Sequence, residues 1–297
     1  MSEAGSRPDW SIVIPTYECA DLLDPCLRSV MAAVDEQRQT EIVVVDDRSS
    51  DRPEDVVERV GGDAVRFHRN AENQGAVANF NACLAEAEGR WIHLLHGDDL
   101  VDEGFYDAAG RVFDEHPEVD VFVCRVTYVD EHGTPAETTR SEVSGSGIWK
   151  DALEVNTISN RVRPCGIAAR REVYDRVGGF RTDLPHGADW EMWVRMAASN
   201  TIWFEDRPLA RYRRHGASDT AARLLTGANI DERLVCVDIM LEHVPEQDRR
   251  GRARKAHLYS TAFAVRLAGR LARERQFKGA FAQLRGAGRA ALAAARA

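Results

Sequence analysis

The amino-acid sequence predicts an α/β fold, a single doubly wound, mostly parallel sheet flanked by helices, with a helical appendage at the C-terminus. Strand-like and helix-like segments alternate over about the first 115 residues. The strand-like segments are short, apolar and rich in β-branched residues, as in a parallel sheet that is covered on both faces. Beyond about residue 220 only helical spacing continues.

Four short runs predict the strands of the first half, because each is bounded by polar or turn-forming residues. They are SIVIPTY (residues 11–17), EIVVVDD (41–47), VRFHR (65–69) and WIHLL (91–95).

The segments between these runs have apolar residues at helical spacing. DLLDPCLRSVMAAV (21–34) predicts the first helix and GAVANFNACLAEAEG (75–89) the third. RSSDRPEDVVERV (48–60) predicts a loop and then a helix, with Asp51 as its cap and Pro53 in its first turn.

Composition narrows the class of protein. The 297 residues contain no apolar run long enough for a transmembrane helix, and the first ten lack the basic and then apolar pattern of a secretory signal. The six cysteines are scattered without a C-x-x-C pair, which argues against a disulfide framework or a zinc site. We therefore expect a cytoplasmic protein.

Charge is divided unevenly along the chain, whose net charge is −9. From residue 246 onward, 13 Arg and Lys against 3 Asp and Glu give +10, which leaves −19 on the rest. This split indicates two regions. The basic helices of residues 220–297 fit a packed appendage with a solvated face, or a peripheral contact with the inner face of an anionic membrane. No nucleic-acid-binding motif accompanies the charge.

Polar clusters follow three of the predicted strands. They are Thr16, Tyr17 and Glu18 after the first strand, Asp46 and Asp47 after the second, and Asp98 and Asp99 after the fourth. Each cluster alone fits a strand end or a helix cap. In open α/β sheets, however, ligands bind beyond the carboxyl ends of the strands, so three clusters there favour a shared site.

The residue types at this edge indicate a phosphate-bearing ligand held through a cation. PTYE after the first strand lacks the glycine-rich loops that hold dinucleotides or nucleoside triphosphates. A phosphate in an acidic crevice needs a divalent cation, and Asp98 and Asp99 offer the hard oxygen ligands that suit Mg²⁺ or Mn²⁺. Tyr17 can stack on a base, and Asp47 can accept a hydrogen bond from one.

Four segments resemble, in order and spacing, the signature blocks of the family 2 glycosyltransferases, which have the GT-A fold. They are SIVIPTYECADLLDPCLRSV, EIVVVDDRSSD, NAENQGAVANFNACLAEAEGRWIHLLHGDD and GGFRTDLPHGADWEMWVRM. The resemblance extends over about residues 10–216. It implies a catalytic domain over residues 1–219, with a nucleotide-sugar-binding half (about 10–115) and an acceptor-side half (116–219).

The resemblance also implies roles for the residues at the sheet edge. Those that embrace the nucleotide base are Pro15, Thr16, Tyr17 and Glu18, and Asp47 reads the uracil or thymine edge. Asp98 and Asp99 occupy the D-x-D position, whose carboxylates hold the ribose and the metal. Many members read D-x-D-D, whereas this chain reads HGDD with His96 first. Which of the two aspartates ligates the metal is therefore open.

The last block, HGADWEMWVRMA (186–197), supplies the reaction chemistry that the resemblance implies. The family pattern is Glu-Asp followed by a helix, and its Asp is the general base of inverting transfer. Asp189 matches that base, while Ala188 replaces the Glu. The alternative is that Asp189 only caps the helix or meets its dipole.

Three later segments carry further predictions. LARYRRHGAS (209–218) resembles the family's late segment, with His215 as a third metal ligand and Arg213 as a phosphate contact. RPCGIAARREVYDRVGGF (163–180) predicts a strand and a helix on the acceptor side, with Arg170 or Arg171 near phosphate. Residues 130–160 fit a lid or a surface hairpin.

The resemblance implies an inverting, metal-dependent glycosyltransferase that moves a sugar from a UDP- or dTDP-sugar to a hydroxyl of a glycan, a lipid-linked acceptor or a small molecule. Polysaccharide and natural-product biosynthesis both fit. A non-catalytic nucleotide-sugar binding module is the first alternative, although it would not need Asp189. A sugar-nucleotide pyrophosphorylase is the second, although PTYE replaces the glycine-rich loop that it would carry.

Overall fold

The computed structural model describes residues 7–214 and 219–297, and its contacts divide the chain into two units. The sheet unit comprises Met1–Trp149, Arg163–Phe180 and Asn200–Arg214. The helical unit comprises Lys150–Val162, Arg181–Ser199 and His215–Ala297. The domain boundaries expected from the sequence stay a prediction.

The described part of the sheet unit contains ten strands in one sheet. They are β1 (Trp10–Thr16), β2 (Thr40–Asp46), β3 (Val65–Arg69), β4 (Trp91–Leu94), β5 (Leu100–Val101), β6 (Val121–Val129), β7 (Pro135–Thr138), β8 (Gly147–Ile148), β9 (Ile167–Arg170) and β10 (Ile202–Arg213). Their order is β3-β2-β1-β4-β9-β6-β10-β5, with β7 beside β6 and β8 beside β10.

Strand direction follows from the pairing. β3, β2, β1 and β4 are mutually parallel, β9 is antiparallel to both β4 and β6, and β6 is parallel to β10. β5, β7 and β8 pair antiparallel at the margins. The predicted α/β class with a mostly parallel sheet is confirmed.

Eleven α-helices lie in the described residues. They are α1 (Ala20–Ala33), α2 (Pro53–Val60), α3 (Ala76–Glu86), α4 (Phe105–Glu115), α5 (Ala152–Ile158), α6 (Arg171–Val177), α7 (Ala188–Ser199), α8 (Asp219–Thr226), α9 (Ala228–Met240), α10 (Glu246–Arg273) and α11 (Phe277–Arg296). α1–α4 and α6 belong to the sheet unit, and the others to the helical unit. The predicted C-terminal helices are confirmed, and no described helix is long and apolar enough to cross a bilayer.

The core of the sheet unit explains why its strands are so apolar. Trp10 on β1 and Trp91 on β4 pack edge to face at 5.2 Å, and Phe113 of α4 lies against Trp91 at 5.4 Å. Each of these rings is almost fully buried, and burial of large apolar side chains is the main stabilising contribution to a domain core.

One helix cap differs from the sequence prediction. Pro53 is the first residue of α2, as expected, but Asp51 does not cap that helix. Its Oδ2 instead accepts a hydrogen bond from the backbone N–H of Ala20, the first residue of α1, at 2.7 Å. The prediction was wrong because spacing along the chain cannot show that this loop folds back onto another helix.

The later segments are also corrected in part. Residues 163–180 form β9 and α6, but Arg170 pairs with Trp91 at the amino end of β4. Nε of Arg170 donates to the Val119 carbonyl and Nε of Arg171 to the Gly89 carbonyl. Both arginines therefore lie at the sheet edge opposite the carboxyl end of β4, and their placement near phosphate was wrong. Within residues 130–160, β7 pairs with β6 as a hairpin.

Candidate functional site

Backbone hydrogen bonds bring the three predicted polar clusters to one edge of the sheet. The Asp47 N–H donates to the Thr16 carbonyl at 3.0 Å, and the Gly97 N–H donates to the Pro15 carbonyl at 3.1 Å. A Cβ on Gly97 would lie 3.2 Å from the Pro15 oxygen, so glycine permits this close approach. The loops after β1, β2 and β4 therefore lie together at one edge of the sheet.

The loop after β1 presents an aromatic ring on an anchored backbone. Tyr17 is 52% exposed, whereas Thr16 is buried with its Oγ1 3.0 Å from the Cys19 Sγ. Glu18 has a positive φ of 48°, and its carboxylate accepts hydrogen bonds from the Ser50 N–H at 2.8 Å and the Ser50 hydroxyl at 3.1 Å. Glu18 thus fastens this loop to the one after β2.

Asp46 is buried, and its carboxylate is hydrogen-bonded to residues of the sheet unit. One oxygen accepts from Nε of Arg69 at 2.7 Å, and both oxygens accept from the Ser49 N–H at 3.2 Å. The Ser49 hydroxyl also donates to Asp46. These contacts give Asp46 a structural role.

Asp47 holds the loop that leads into α3. Its two oxygens accept from the Gln74 N–H at 2.9 Å and the Gly75 N–H at 2.8 Å, while Nδ2 of Asn70 donates at 2.9 Å. Gly75 has a φ of +86°, which favours glycine there. The carboxylate is therefore held in one orientation, and its contact with a nucleotide base stays a prediction.

Asp99 differs from both of these residues. Its side chain is 1% exposed, and its Oδ1 accepts from the Arg213 N–H at 2.9 Å. Its buried Oδ2 accepts no N–H or hydroxyl hydrogen bond among residues 7–214 and 219–297, while the Cys165 thiol interacts with the carboxylate and acts to lower its pKa. Burial, followed by the nearby Asp98 carboxylate, raises the pKa of Asp99 well above its ordinary range. A cation at Oδ2 would relieve both effects.

His96 completes a cluster that could hold such a cation. One potential ligand atom from each of His96, Asp98 and Asp99 lies within 4.8 Å of the other two. The His96 ring stacks on Phe80 with centroids 4.8 Å apart. An imidazole nitrogen and two carboxylates fit a divalent ion such as Mn²⁺. In the sequence His96 is only a departure from the motif, although its position two residues before Asp98 could have indicated a third metal ligand.

Arg213 is the link between β10 and this cluster. It is buried, and its Nε donates to the Asp98 carbonyl at 2.9 Å while Nη1 donates to the Glu131 carbonyl at 3.0 Å. These bonds position the loop that carries the two aspartates. A phosphate contact by Arg213 stays a prediction. The predicted ligand His215 lies outside the described residues.

Asp189 lies at the start of α7 in the helical unit and is partly exposed. Its Oδ2 accepts from Nδ2 of Asn160 at 3.2 Å, and its Oδ1 accepts from the adjacent Trp190 N–H at 2.6 Å. A helix cap usually bonds an N–H two or three residues ahead, so this contact differs from ordinary capping. The Arg233 guanidinium lies 4.2 Å from the Trp190 ring centroid and helps to fix this turn. The role of Asp189 as a base stays a prediction.

The comparison with known families gives a direct result. The sequence model described as glycosyl transferase family 2 matches residues 11–178. The chain belongs to glycosyl transferase family 2. The family resemblance inferred from the four sequence blocks is thus confirmed, and the chain is a glycosyltransferase.

Its similar proteins are distant. An uncharacterized protein of Mycobacterium tuberculosis is 27% identical over 77% of this chain and 74% of its own length. An uncharacterized glycosyltransferase of Rickettsia typhi is 22% identical over 75% of this chain and 70% of its own length. A PGL/p-HBAD biosynthesis glycosyltransferase of Mycobacterium bovis is 26% identical over 64% of this chain and 70% of its own length.

Solved structures share the fold at low identity. TarS 1-349 of S. aureus in complex with UDP-GlcNAc has a TM-score of 0.64 at 16% identity and covers 93% of this chain and 90% of TarS 1-349. The mannosyltransferase PcManGT of Pyrobaculum calidifontis in complex with GDP-Man and Mn²⁺ has a TM-score of 0.58 at 18% identity, with 96% of this chain and 87% of that one covered.

Proposed function

We propose that this glycosyltransferase transfers a sugar from a UDP- or dTDP-sugar to an acceptor hydroxyl with inversion at the anomeric carbon. The observation that carries the proposal is the cluster of His96, Asp98 and Asp99, in which a buried Asp99 oxygen accepts no N–H or hydroxyl hydrogen bond among residues 7–214 and 219–297. Buried carboxylate oxygens are usually hydrogen-bonded, as those of Asp46 are. The position of this Asp99 oxygen beside His96 and Asp98 therefore supports a bound cation.

The cluster fits a divalent ion, Mg²⁺ or Mn²⁺, held by Asp98, Asp99 and His96, with His215 as a further candidate. When bound, the ion supplies the positive charge that neutralises the donor diphosphate. Arg213 holds the loop in place through the Asp98 carbonyl and the Asp99 carboxylate. The Mn²⁺ in the Pyrobaculum mannosyltransferase complex supports a divalent ion in this fold.

The base of the nucleotide is proposed to lie on the exposed ring of Tyr17. The loop Pro15, Thr16 and Glu18 supports that ring, and Asp47 offers its carboxylate to a base N–H. The UDP-GlcNAc in the TarS complex supports a donor with a pyrimidine base. The GDP-Man in the mannosyltransferase complex makes a donor with a purine base the alternative.

Asp189 is proposed as the general base. An acceptor hydroxyl must lose its proton as its oxygen attacks the anomeric carbon, and a positioned carboxylate can accept that proton. Asn160 donates to Oδ2 of Asp189 and so holds the carboxylate in a fixed orientation. The catalytic role rests on the match of this residue to the family motif.

Calorimetry with UDP, dTDP and GDP tests the donor end. We expect affinity for UDP or dTDP to exceed that for GDP, and to fall steeply when EDTA removes Mg²⁺ or Mn²⁺. Tighter binding of GDP would contradict the base assignment. Equal affinity with and without EDTA would remove the cation from the proposal.

Asp189→Asn tests the reaction. The amide keeps the shape of the side chain but cannot accept the proton, so transfer should fall by roughly 10²- to 10⁴-fold while donor affinity is retained. Asp183→Asn is the matched control, because Asp183 is an exposed acid of the same unit that pairs with Arg181. Transfer by Asp189→Asn at the wild-type rate, or a product with retained configuration, would refute the mechanism. Donor binding without transfer in the wild type would favour the binding-module alternative.

A further inference from the structure

Large apolar side chains are exposed mainly in one part of the protein. Of the ten that are exposed among the residues whose side chains are described, eight lie between residues 225 and 292. Four of these eight belong to α11, where they are 52% to 67% exposed. They are Phe277, Phe281, Leu284 and Leu292.

These four side chains form a continuous stripe. At 100° per residue their positions span roughly 80° of the helix circumference, over roughly 22 Å of its length. A surface helix normally turns such a stripe toward the protein core. On α11 the stripe faces outward, and we call it the α11 stripe.

The inward face of α11 explains this reversal. Its buried residues are small, apart from one glutamine: Gly279, Ala280, Gln283, Gly286, Ala287, Ala290 and Ala294. A Cβ on Gly286 would lie 2.9 Å from the Ile230 Cβ of α9, so the helix packs closely through small residues. Nε2 of Gln283 donates to the Leu224 carbonyl at 2.6 Å and to Oδ1 of Asn229 at 2.7 Å. Small residues and Gln283 therefore make the buried contacts of α11, while its four large apolar side chains stay more than half exposed.

Charge beside the α11 stripe indicates what covers it. Residues 275–297 contain five arginines and lysines and no acidic residue. Lys278, Arg285 and Arg296 lie at roughly 80° to 100° from Phe277, along one side of the stripe. Arg289, a little farther round, pairs with Asp231 at 2.5 Å. A helix with an exposed aromatic and leucine stripe beside basic residues has the pattern of a helix that lies in a membrane interface.

We propose that α11 binds the surface of an anionic lipid bilayer, with the α11 stripe inserted at the headgroup boundary and Lys278, Arg285 and Arg296 against the lipid phosphates. A second copy of the chain fits less well, because two such helices would bring like charges together. A soluble polyanion would bind the basic residues but would leave Phe277 and Phe281 exposed to water. This surface requires neither donor nor transfer, so the inference stands apart from the proposed reaction.

Sedimentation of the full chain with vesicles tests the surface. We expect binding to vesicles of phosphatidylcholine mixed with phosphatidylglycerol, weak binding to phosphatidylcholine alone, and a decrease with added salt because the charges are screened. The double variant Phe277→Ser and Phe281→Ser keeps every charge, and should bind the anionic vesicles at least tenfold more weakly because apolar burial is lost. Met31→Ser, an exposed apolar residue of α1, is the matched control and should bind as the wild type does.

A second double variant separates charge from apolar contact. Lys278→Gln with Arg285→Gln keeps the α11 stripe and should weaken binding by about fivefold for each charge removed. Arg111→Gln, at an exposed position of α4, is its control. Circular dichroism of each variant shows whether the helices are retained.

Three results with vesicles would overturn the proposal. The first is equal binding of anionic vesicles by the serine variant and the wild type, and the second is no sedimentation of the wild type with those vesicles. The third is displacement from the vesicles by inorganic polyphosphate to the same extent for the serine variant as for the wild type. Analytical ultracentrifugation covers self-association, because a wild-type dimer that the serine variant dissociates would assign the stripe to a second copy instead.

Discussion

Two pairs of adjacent aspartates lie at the same edge of one sheet, and Asp99 of the second pair differs from both members of the first in how its carboxylate oxygens are bonded. Asp46 and Asp47, after β2, accept hydrogen bonds on every carboxylate oxygen from their own unit. Asp99, after β4, has an Oδ2 that accepts no N–H or hydroxyl hydrogen bond among residues 7–214 and 219–297, and its pKa is raised by burial and by Asp98. Two neighbouring carboxylates therefore do not by themselves mark a cation site.

The comparison shows which carboxylate oxygens remain able to bind a ligand. In the first pair the oxygens are used by the local fold, since Asp46 accepts from Arg69 and Ser49, and Asp47 accepts from the loop that leads into α3. In the second pair, Asp99 accepts from the Arg213 N–H through Oδ1 alone, so its Oδ2 stays available to a cation. Substitutions in the two pairs should separate stability from donor binding.

Among substitutions in the two pairs, the largest effect is expected for Asp99→Asn. The amide keeps an oxygen for the Arg213 N–H but removes the charge that would bind a cation, so transfer should fall on the order of 10²- to 10³-fold. The melting temperature should stay the same or rise, because repulsion with Asp98 disappears. Transfer assays with and without EDTA, together with thermal unfolding, measure both quantities. A variant that unfolds early while retaining metal-dependent transfer would break the comparison.

Asp46→Asn should show the opposite pattern. This change weakens the bonds to Arg69 and Ser49 in a buried setting, at a cost of about 2–3 kcal/mol in the free energy of unfolding. Urea unfolding measures that loss. Donor affinity, measured by calorimetry below the unfolding transition, should change less than in Asp99→Asn, and a larger change would assign Asp46 to the site as well.

Acid should lower the stability of the protein through His93 on β4, the strand that leads to the second pair. Burial lowers the pKa of His93 from 6.5 to about 3. Nε2 of His93 lies 3.2 Å from the Cys165 carbonyl and Nδ1 lies 3.0 Å from the Tyr106 hydroxyl, an arrangement that suits the neutral ring.

The sign of the His93 effect follows from these pKa values. The unfolded chain binds this proton near pH 6.5 and the folded chain only near pH 3, so the contribution is fully present above pH 6.5 and is lost as the pH falls toward 3. Between pH 7 and 5 the loss from this one group should be about 2 kcal/mol. Urea unfolding across this range should give a shallower dependence for His93→Gln than for the wild type. Equal slopes would show that His93 titrates normally.

The smallest effect is expected for Asp47→Asn. An amide oxygen can replace only part of what the carboxylate accepts from Gln74, Gly75 and Asn70, which should cost about 1 kcal/mol of stability. If Asp47 also accepts from the nucleotide base, affinity for UDP should fall about tenfold, which corresponds to one hydrogen bond. Unchanged UDP affinity would confine Asp47 to holding the loop before α3.

The sequence by itself determined the class of the fold and the sheet edge. Period and composition located β1 to β4, because a buried parallel strand must be continuously apolar. The alternation of strands and helices predicted that Thr16, Asp47 and Asp99 would lie at the edge of the sheet where the parallel strands end. The four sequence blocks identified the family without any coordinates.

Tertiary structure decided which of those side chains keep free capacity. Asp51 caps α1 instead of α2, and Arg170 lies at the far edge of the sheet, because both partners come from distant parts of the chain. His96 joins Asp98 and Asp99 only because the turn after β4 directs the three side chains to one point. Hydrogen bonding and burial depend on neighbours that the fold brings together, so the local sequence could name the carboxylates but could not say which of them are already satisfied.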